Sequence, residues 1–460
     1  MKSLCRCFML STIVVLLLLS LSTQIMAQAP AAAPKAAKPA APATKVTPPP
    51  APAAPVVAAP APAITEYKLS PELMAKATAL YHTKLVIYLW DLVFGFVLLV
   101  ILLWVKLAPR YRNLAEKVSR YRFVQALIFV PLFILTLDVL NLPLGMYNQH
   151  LQRAYGLSVQ SWGSWFGDLA KGAGISLVIG IPMIWLLFTV IRKSPKRWFF
   201  YFWLITVPFL VLIIFVAPVV LDPLFNKFDS LEKAQPQLVQ PLEAVEHRAG
   251  LDIPRSRMFE MKASEKVTTY NAYVTGIGAT KRIVVWDNTA KDLSIPVTQF
   301  IFGHELGHYV LNHVYKGLAF GLGLTLIMFW LGRKIALAFL ARWGGRWGIR
   351  DLADYGALPV LLLVLSILSL AGDPIQAAFS RHLEHDADIH GLEVTHGLVP
   401  NSSQVAAESF QKLGEKGYAY PSPNKLYVLW TYSHPPIAER LKFALSYHPW
   451  EEGKPNEFVK

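Results

Sequence analysis

Gly303-His304-Glu305-Leu306-Gly307-His308 places two imidazoles and a carboxylate in an HExxH spacing. The flanking residues 297–314 are mostly apolar and contain no proline, which predicts a helix. On a helix, His304 and His308 stand one turn apart on one face. Two neutral imidazoles so placed suit zinc, and Glu305 projects beside them, where a carboxylate could take a proton from a water on the metal. Chance spacing on a surface helix is the alternative, and a third ligand is needed to decide.

A catalytic zinc takes three protein ligands and leaves one position open. In the HExxHxxGxxH pattern the third ligand is a histidine, but here Leu311 stands at the glycine position and Val314 at the histidine position. His313 is one residue early. The other common source is a glutamate on a later helix. The next glutamate after Glu305 is Glu384, which opens Glu384-His385-Asp386-Ala387-Asp388. Glu384 and Asp388 are spaced to share a helix face. Glu384 is then the expected third ligand, and Asp388 is expected to orient a ligand histidine through its ring N–H. A solvated acidic helix face is the alternative reading. His382, His385 and His390 crowd the same stretch and are expected at the surface or behind the ligands.

These residues sit in an apolar chain. It has 460 residues, of which 16% are charged and 54% hydrophobic, and its mean hydropathy is +0.39. That composition excludes an ordinary soluble enzyme and points to the lipid bilayer. The net charge is +14, but the cations lie in short loops between apolar runs, so they concern topology and not nucleic acid.

Residues 1–27 have the charged start, apolar middle and small-residue end (Ile25-Met26-Ala27) of a signal peptide, with a retained anchor as the alternative. Cys5 and Cys7 are the two cysteines of the chain, so cleavage would leave neither disulfide nor thiol chemistry. Residues 28–64 are an Ala/Pro-rich linker that cannot bury a core.

Apolar runs near 85–105, 123–144, 172–191 and 198–220 give residues 65–220 four spans. Two shorter runs near 318–331 and 357–370 interrupt the remainder, 221–460, and need their flanks to cross a bilayer. Lys106, Arg110, Arg112, Lys117, Arg120 and Arg122 crowd the first loop. Arg192, Lys193, Lys196 and Arg197 fill the third, and Arg333, Lys334, Arg342, Arg346 and Arg350 the fifth. The second loop has only Arg153 and Lys171. Loops one, three and five are therefore expected in the cytoplasm, with HExxH and Glu384 on the extracytoplasmic side, the periplasmic side of an inner membrane if the source is bacterial. Asp91 and Asp138 lie inside apolar runs, either lining a polar cavity or bonding between helices. A helix is expected over 230–250, broken early by Pro236 and Pro241, then strands over 257–261, 271–275 and 281–286. An edge strand beside the zinc helix would suit a peptidase, because an extended substrate can add to it.

Several blocks resemble the CAAX prenyl protease type 1 family, integral-membrane zinc endopeptidases of the gluzincin kind. They are Pro223-Leu224-Phe225-Asn226-Lys227-Phe228, Asn271-Ala272-Tyr273, Lys281-Arg282-Ile283-Val284, the HExxH block, Glu384–Asp388, and Trp430-Thr431-Tyr432-Ser433-His434-Pro435-Pro436 with Glu439-Arg440-Leu441. Tyr147-Asn148 and Tyr155-Gly156 are further, weaker matches. The resemblance implies a multi-span α-helical membrane protein with an α+β gluzincin-like zinc metallopeptidase domain. It implies one zinc held by His304, His308 and Glu384, with Glu305 as base. It further implies that His434 and Arg440 stabilise the oxyanion, and that Asn271 and Ala272 contact the bound peptide through their backbone. Family members usually carry one more span before the run equivalent to 85–105, where this chain has the signal-like segment and linker. The expected function is hydrolysis of membrane-associated or extracytoplasmic polypeptides, with no obligate protein partner indicated. Processing of prenylated CAAX proteins and a non-catalytic zinc-binding scaffold are the alternatives.

Overall fold

The computed structural model describes residues 63–276 and 281–460. The signal-like segment, nearly all of the linker, and Gly278 between two strands lie outside the described residues.

Ser70 caps the first helix, α1 (Pro71–Trp104), by accepting the Leu73 N–H, and Pro71 takes the first helical position, where its missing N–H costs nothing. Then follow α2 (Leu107–Val118), α3 (Arg122–Ala154), α4 (Trp162–Lys193) and α5 (Trp198–Val216). The chain after the fourth span adds β1 (Phe228–Ser230), α6 (Pro236–Arg248), β2 (Met258–Met261), β3 (Ala272–Thr275), β4 (Arg282–Trp286) and α7 (Ile295–Val310). It continues with α8 (His313–Trp347), α9 (Leu358–Thr395), α10 (Ser402–Gly417), α11 (Lys425–Thr431) and α12 (Ile437–Ser446).

Six helices among the described residues are long and apolar enough to cross a membrane, at the six expected places. The last two are much longer than their apolar cores suggested. Helix α8 has 35 residues and α9 has 38, so α9 runs without a break from a membrane span into the segment carrying Glu384 and Asp388. Pro374 lies within α9 and does not end it. Apolar side chains such as Trp104 and Val178 stand exposed at 80% and 75% on the bundle surface, as lipid contact requires. Asp91 is buried, and it and Asp138 both have polar or electrostatic partners.

The expected helix over 230–250 is split at Pro236, which starts α6, while Pro241 stays inside it. The sheet has four strands in the order β1-β2-β4-β3, with β2 and β4 parallel and the other pairs antiparallel. Strand β1 was not expected from the sequence, because three residues carry no readable alternation. One apolar core lies among α1–α5, α8 and the start of α9. A second joins α6, the sheet, α7, the end of α9, α10 and α12.

Loops one, three and five meet at one end of the bundle. Arg112 pairs with Asp354, and both are buried. Arg350 reaches both Glu116 oxygens at 2.8 Å, and Arg192 donates to the Ala353 carbonyl at 3.3 Å. At the opposite end, Lys266 Nζ lies 2.6 Å from Asp168 Oδ2, and Ile64 exchanges hydrogen bonds of 2.9 and 3.1 Å with Gln404 on α10. The segment leading into α1 and loop two thus lie against the part of the chain that carries the sheet and α10.

Candidate metal centre

Helices α7 and α9 approach closely because glycines line their contact. A methyl added at Gly303 would sit 2.7 Å from Val394 Cγ1, and one at Gly307 would sit 3.2 Å from the Ala387 Cα. Gly391 on α9 faces the His304 backbone N at 3.1 Å on the same measure. Gly303 and Gly307 already show in the sequence the spacing of a small-residue helix contact.

This approach brings the three expected ligands together. His304 Nε2 lies 3.2 Å from His308 Nε2 and 3.4 Å from Glu384 Oε2, and His308 Nε2 lies 3.4 Å from Glu384 Oε1. Ligands about 2.0–2.1 Å from a tetrahedral zinc stand about 3.3–3.4 Å apart, so these atoms fit one face of such a site. Glu384 Oε2 is buried without an aligned hydrogen bond, as expected of an oxygen that a cation satisfies. Two imidazoles and a carboxylate match the donor set of a catalytic zinc, with the fourth direction left for water or substrate.

Behind the ligands, Asp388 Oδ1 lies 2.9 Å from His304 Nδ1. Arg440 donates to the same carboxylate through Nε at 2.8 Å and a terminal nitrogen at 2.6 Å, and stacks 4.6 Å above the Phe410 ring. Its guanidinium is committed to Asp388 on the Nδ1 side of His304 and reaches Glu384 Oε2 only at 4.0 Å. A buried guanidinium settles on the carboxylate that offers two parallel acceptors, and Asp388 is that partner.

His434 Nε2 lies 2.9 Å from Glu384 Oε2, inside the cluster. Burial holds its imidazole down at about 4, so it is neutral near pH 7 and keeps an N–H to donate. Glu305 follows His304 on α7 and is half-buried. Burial pushes its carboxyl up to about 7, and the Glu384 charge adds to this against the lowering by His304 and Arg440. A carboxylate poised in that range can exchange protons at neutral pH.

His390, expected near the surface or behind the ligands, is buried, with Nδ1 2.9 Å from the Gly303 carbonyl oxygen. His382 is exposed, and His385 packs on Phe443 with ring centres 4.4 Å apart.

Strand β3 is the sheet edge beside α7. The Asn271 carbonyl accepts from the Trp286 N–H at 3.0 Å, and the Asn271 N–H donates to Thr289 Oγ1 at 2.7 Å. With Ala272 opposite Val285 and Tyr273 opposite Val284, the alternation turns the N–H and C=O of Ala272 and Val274 away from β4. Ala272 is buried as a whole, whereas Val274 is partly exposed.

Known proteins agree with this architecture. Residues 56–227 match the CAAX prenyl protease N-terminal domain of five membrane helices, and residues 232–448 match peptidase family M48. The uncharacterized metalloprotease YhfN of Bacillus subtilis (strain 168) is 33% identical over 376 residues, covering 82% of this chain and 86% of that protein. CAAX prenyl protease 1 of Saccharomyces cerevisiae is 26% identical over 338 residues, covering 70% of this chain and 72% of that protein. The crystal structure of S. mikatae Ste24p has a similar fold, with a TM-score of 0.71 at 23% identity over 82% of this chain and 90% of that one. With its spans and its His-His-Glu cluster, the chain belongs to the CAAX prenyl protease type 1 family and is a multi-pass membrane endopeptidase dependent on zinc.

Proposed function

We propose that the chain cleaves membrane-associated or extracytoplasmic polypeptides bound as an added strand on β3. The observation that carries this reading is the edge of β3 beside the HExxH helix, with the polar backbone groups of Ala272 and of the partly exposed Val274 turned away from β4. An extended peptide pairs with such an edge through its own backbone, which gives affinity with modest sequence preference.

His304, His308 and Glu384 hold the zinc. When bound, zinc supplies Lewis acidity that makes water acidic and polarises a carbonyl. Glu305 accepts the proton of the attacking water and delivers it to the leaving amine. His434 donates its N–H toward the carbonyl oxygen as negative charge develops there. Asp388 fixes the His304 ring, and Arg440 holds Asp388 in place. Asn271 shapes the approach to Ala272, tying β3 to Trp286 and Thr289.

The topology follows from charge. Loops one, three and five, which carry most of the loop cations, meet at one end, and that end belongs in the cytoplasm. The zinc cluster then faces the extracytoplasmic side, periplasmic in a bacterial inner membrane. Residues 1–27 act as the export signal, 28–64 as a spacer, 65–220 as the four-span membrane domain, and 221–460 as the peptidase domain. The chain works without an obligate partner. Processing of prenylated CAAX proteins, the activity named for the yeast relative, is the second reading and needs cytosolic access.

Val274→Pro tests the substrate edge. It removes an N–H that faces away from β4 at a partly exposed residue of an edge strand, where proline is tolerated. Casein or peptide cleavage should fall sharply with zinc content unchanged, and wild-type cleavage would sink the added-strand reading. A reporter fused after Lys460 should be active only outside the cytoplasm. Cytoplasmic activity would overturn the topology and favour the CAAX reading.

A further inference from the structure

His313 is one residue early to be a ligand in the HExxHxxGxxH pattern, yet the fold carries it back to the cluster. Asn312, between α7 and α8, has a left-handed backbone (φ 59°), which asparagine adopts more readily than most residues. That sharp turn starts α8 at His313 and folds its side chain under His308. His313 is 4% exposed, and its Nδ1 lies 3.0 Å from His308 Nδ1.

The protons can then be assigned in order. His308 turns Nε2 toward His304 Nε2 and Glu384, so Nε2 must carry the free lone pair. Its single proton is on Nδ1 and points at His313. Two ring nitrogens 3.0 Å apart cannot both donate, so His313 Nδ1 accepts and its own proton sits on Nε2. That Nε2 is buried, makes no hydrogen bond, and faces Asp386 Oδ2 at 3.8 Å. His313 cannot ligate the same ion, because it stands on the far side of the His308 ring.

We propose that His313 is a positioning residue that fixes the tautomer and ring plane of His308, with Asp386 behind it. The two ligand histidines are then held differently. His304 leans on an ionised carboxylate backed by Arg440, and His308 leans on a neutral imidazole. The inference rests on the assignment of His304, His308 and Glu384 as ligands.

The test is zinc affinity of the full chain in detergent, measured by competition with a chelator. His313→Asn keeps an acceptor near the Nδ1 position, His313→Gln moves it toward the Nε2 position, and His313→Leu removes it. Leu and Gln should weaken zinc binding about 10–100-fold, the usual effect of losing a ligand's supporting hydrogen bond, while Asn stays close to wild type. Equal affinity in all four proteins would overturn the inference. So would an Asn variant as weak as Leu, or a Gln variant as strong as Asn. If the Leu variant does not fold, the Asn–Gln contrast decides. Glu384→Ala in the same assay separates the two ideas. Zinc retained there refutes the ligand assignment, whereas zinc lost there with all His313 variants normal refutes the role of His313 alone.

Discussion

Removing Asp388 should damage folding and metal binding by two separable routes. Its carboxylate is 1% exposed and serves Arg440 on one side and His304 on the other. Asp388→Leu strands the Arg440 guanidinium, itself 8% exposed, and an uncompensated buried charge costs about 3–5 kcal/mol. For a unit of about 150–250 residues that lowers the melting temperature by roughly 10 °C. The same change leaves the His304 Nδ1–H without an acceptor. Zinc affinity should then fall about 10–100-fold, or about 1.4–2.8 kcal/mol. Replacing both partners, as Asp388→Leu with Arg440→Met, removes the stranded charge, and such apolar replacements are often neutral or stabilising. Melting of zinc-stripped protein in detergent should therefore recover in the double variant, while zinc affinity should stay low. A double variant with wild-type zinc affinity would refute Asp388 as the group that orients His304. A single variant that melts like wild type would refute the buried ion pair.

Glu305→Gln should slow hydrolysis about 10²–10⁴-fold and leave zinc content unchanged, because it removes a base and no ligand. Activity should also fall as pH drops through the Glu305 pKa. Burial, net of the charges around it, takes that group to about 7 and a neighbouring divalent cation draws it lower, so an acid limb centred above 7 would contradict the assignment. Gly307→Ala places a methyl 3.0 Å from His390 Cβ and 3.2 Å from the Ala387 Cα. Overpacking of about 1–3 kcal/mol there outweighs the helix gain of about 1 kcal/mol. Zinc affinity should drop, whereas Gly317→Ala, with nothing within 4 Å of the new methyl, should leave it intact. Arg112→Leu leaves Asp354 buried and unpaired at the far end of the bundle. It should lower the melting temperature without moving the zinc affinity of the protein that remains folded, as parallel melting and chelator competition would show.

The cluster of His304, His308 and Glu384 was legible because each signal was local or exclusive. His304 and His308 are a turn apart, and no other glutamate lies between Glu305 and Glu384. The six spans were legible because hydrocarbon thickness sets their length. Their ends were not. Helix α8 extends past its apolar core through Arg333 and Lys334, and long cationic side chains let a helix do this, as where Lys334 lies 3.8 Å over Trp330. The close approach of α7 and α9 depends on what faces each glycine, which only the packed pair reveals. The place of His313 beside His308 was not legible, because ligand spacing assumes a continuous helix and the turn at Asn312 breaks that assumption. The pairing of Arg440 with Asp388 was not legible, because the two lie 52 residues apart in sequence and no spacing rule relates them.

Zinc per chain in detergent-purified wild type beside Glu384→Ala tests the metal centre most directly. A site of His304, His308 and Glu384 gives about one zinc in the wild type, as a three-ligand catalytic site requires, and little in the variant. Equal zinc in both proteins would contradict it, because the His304–His308–Glu384 face would then not be what holds the metal.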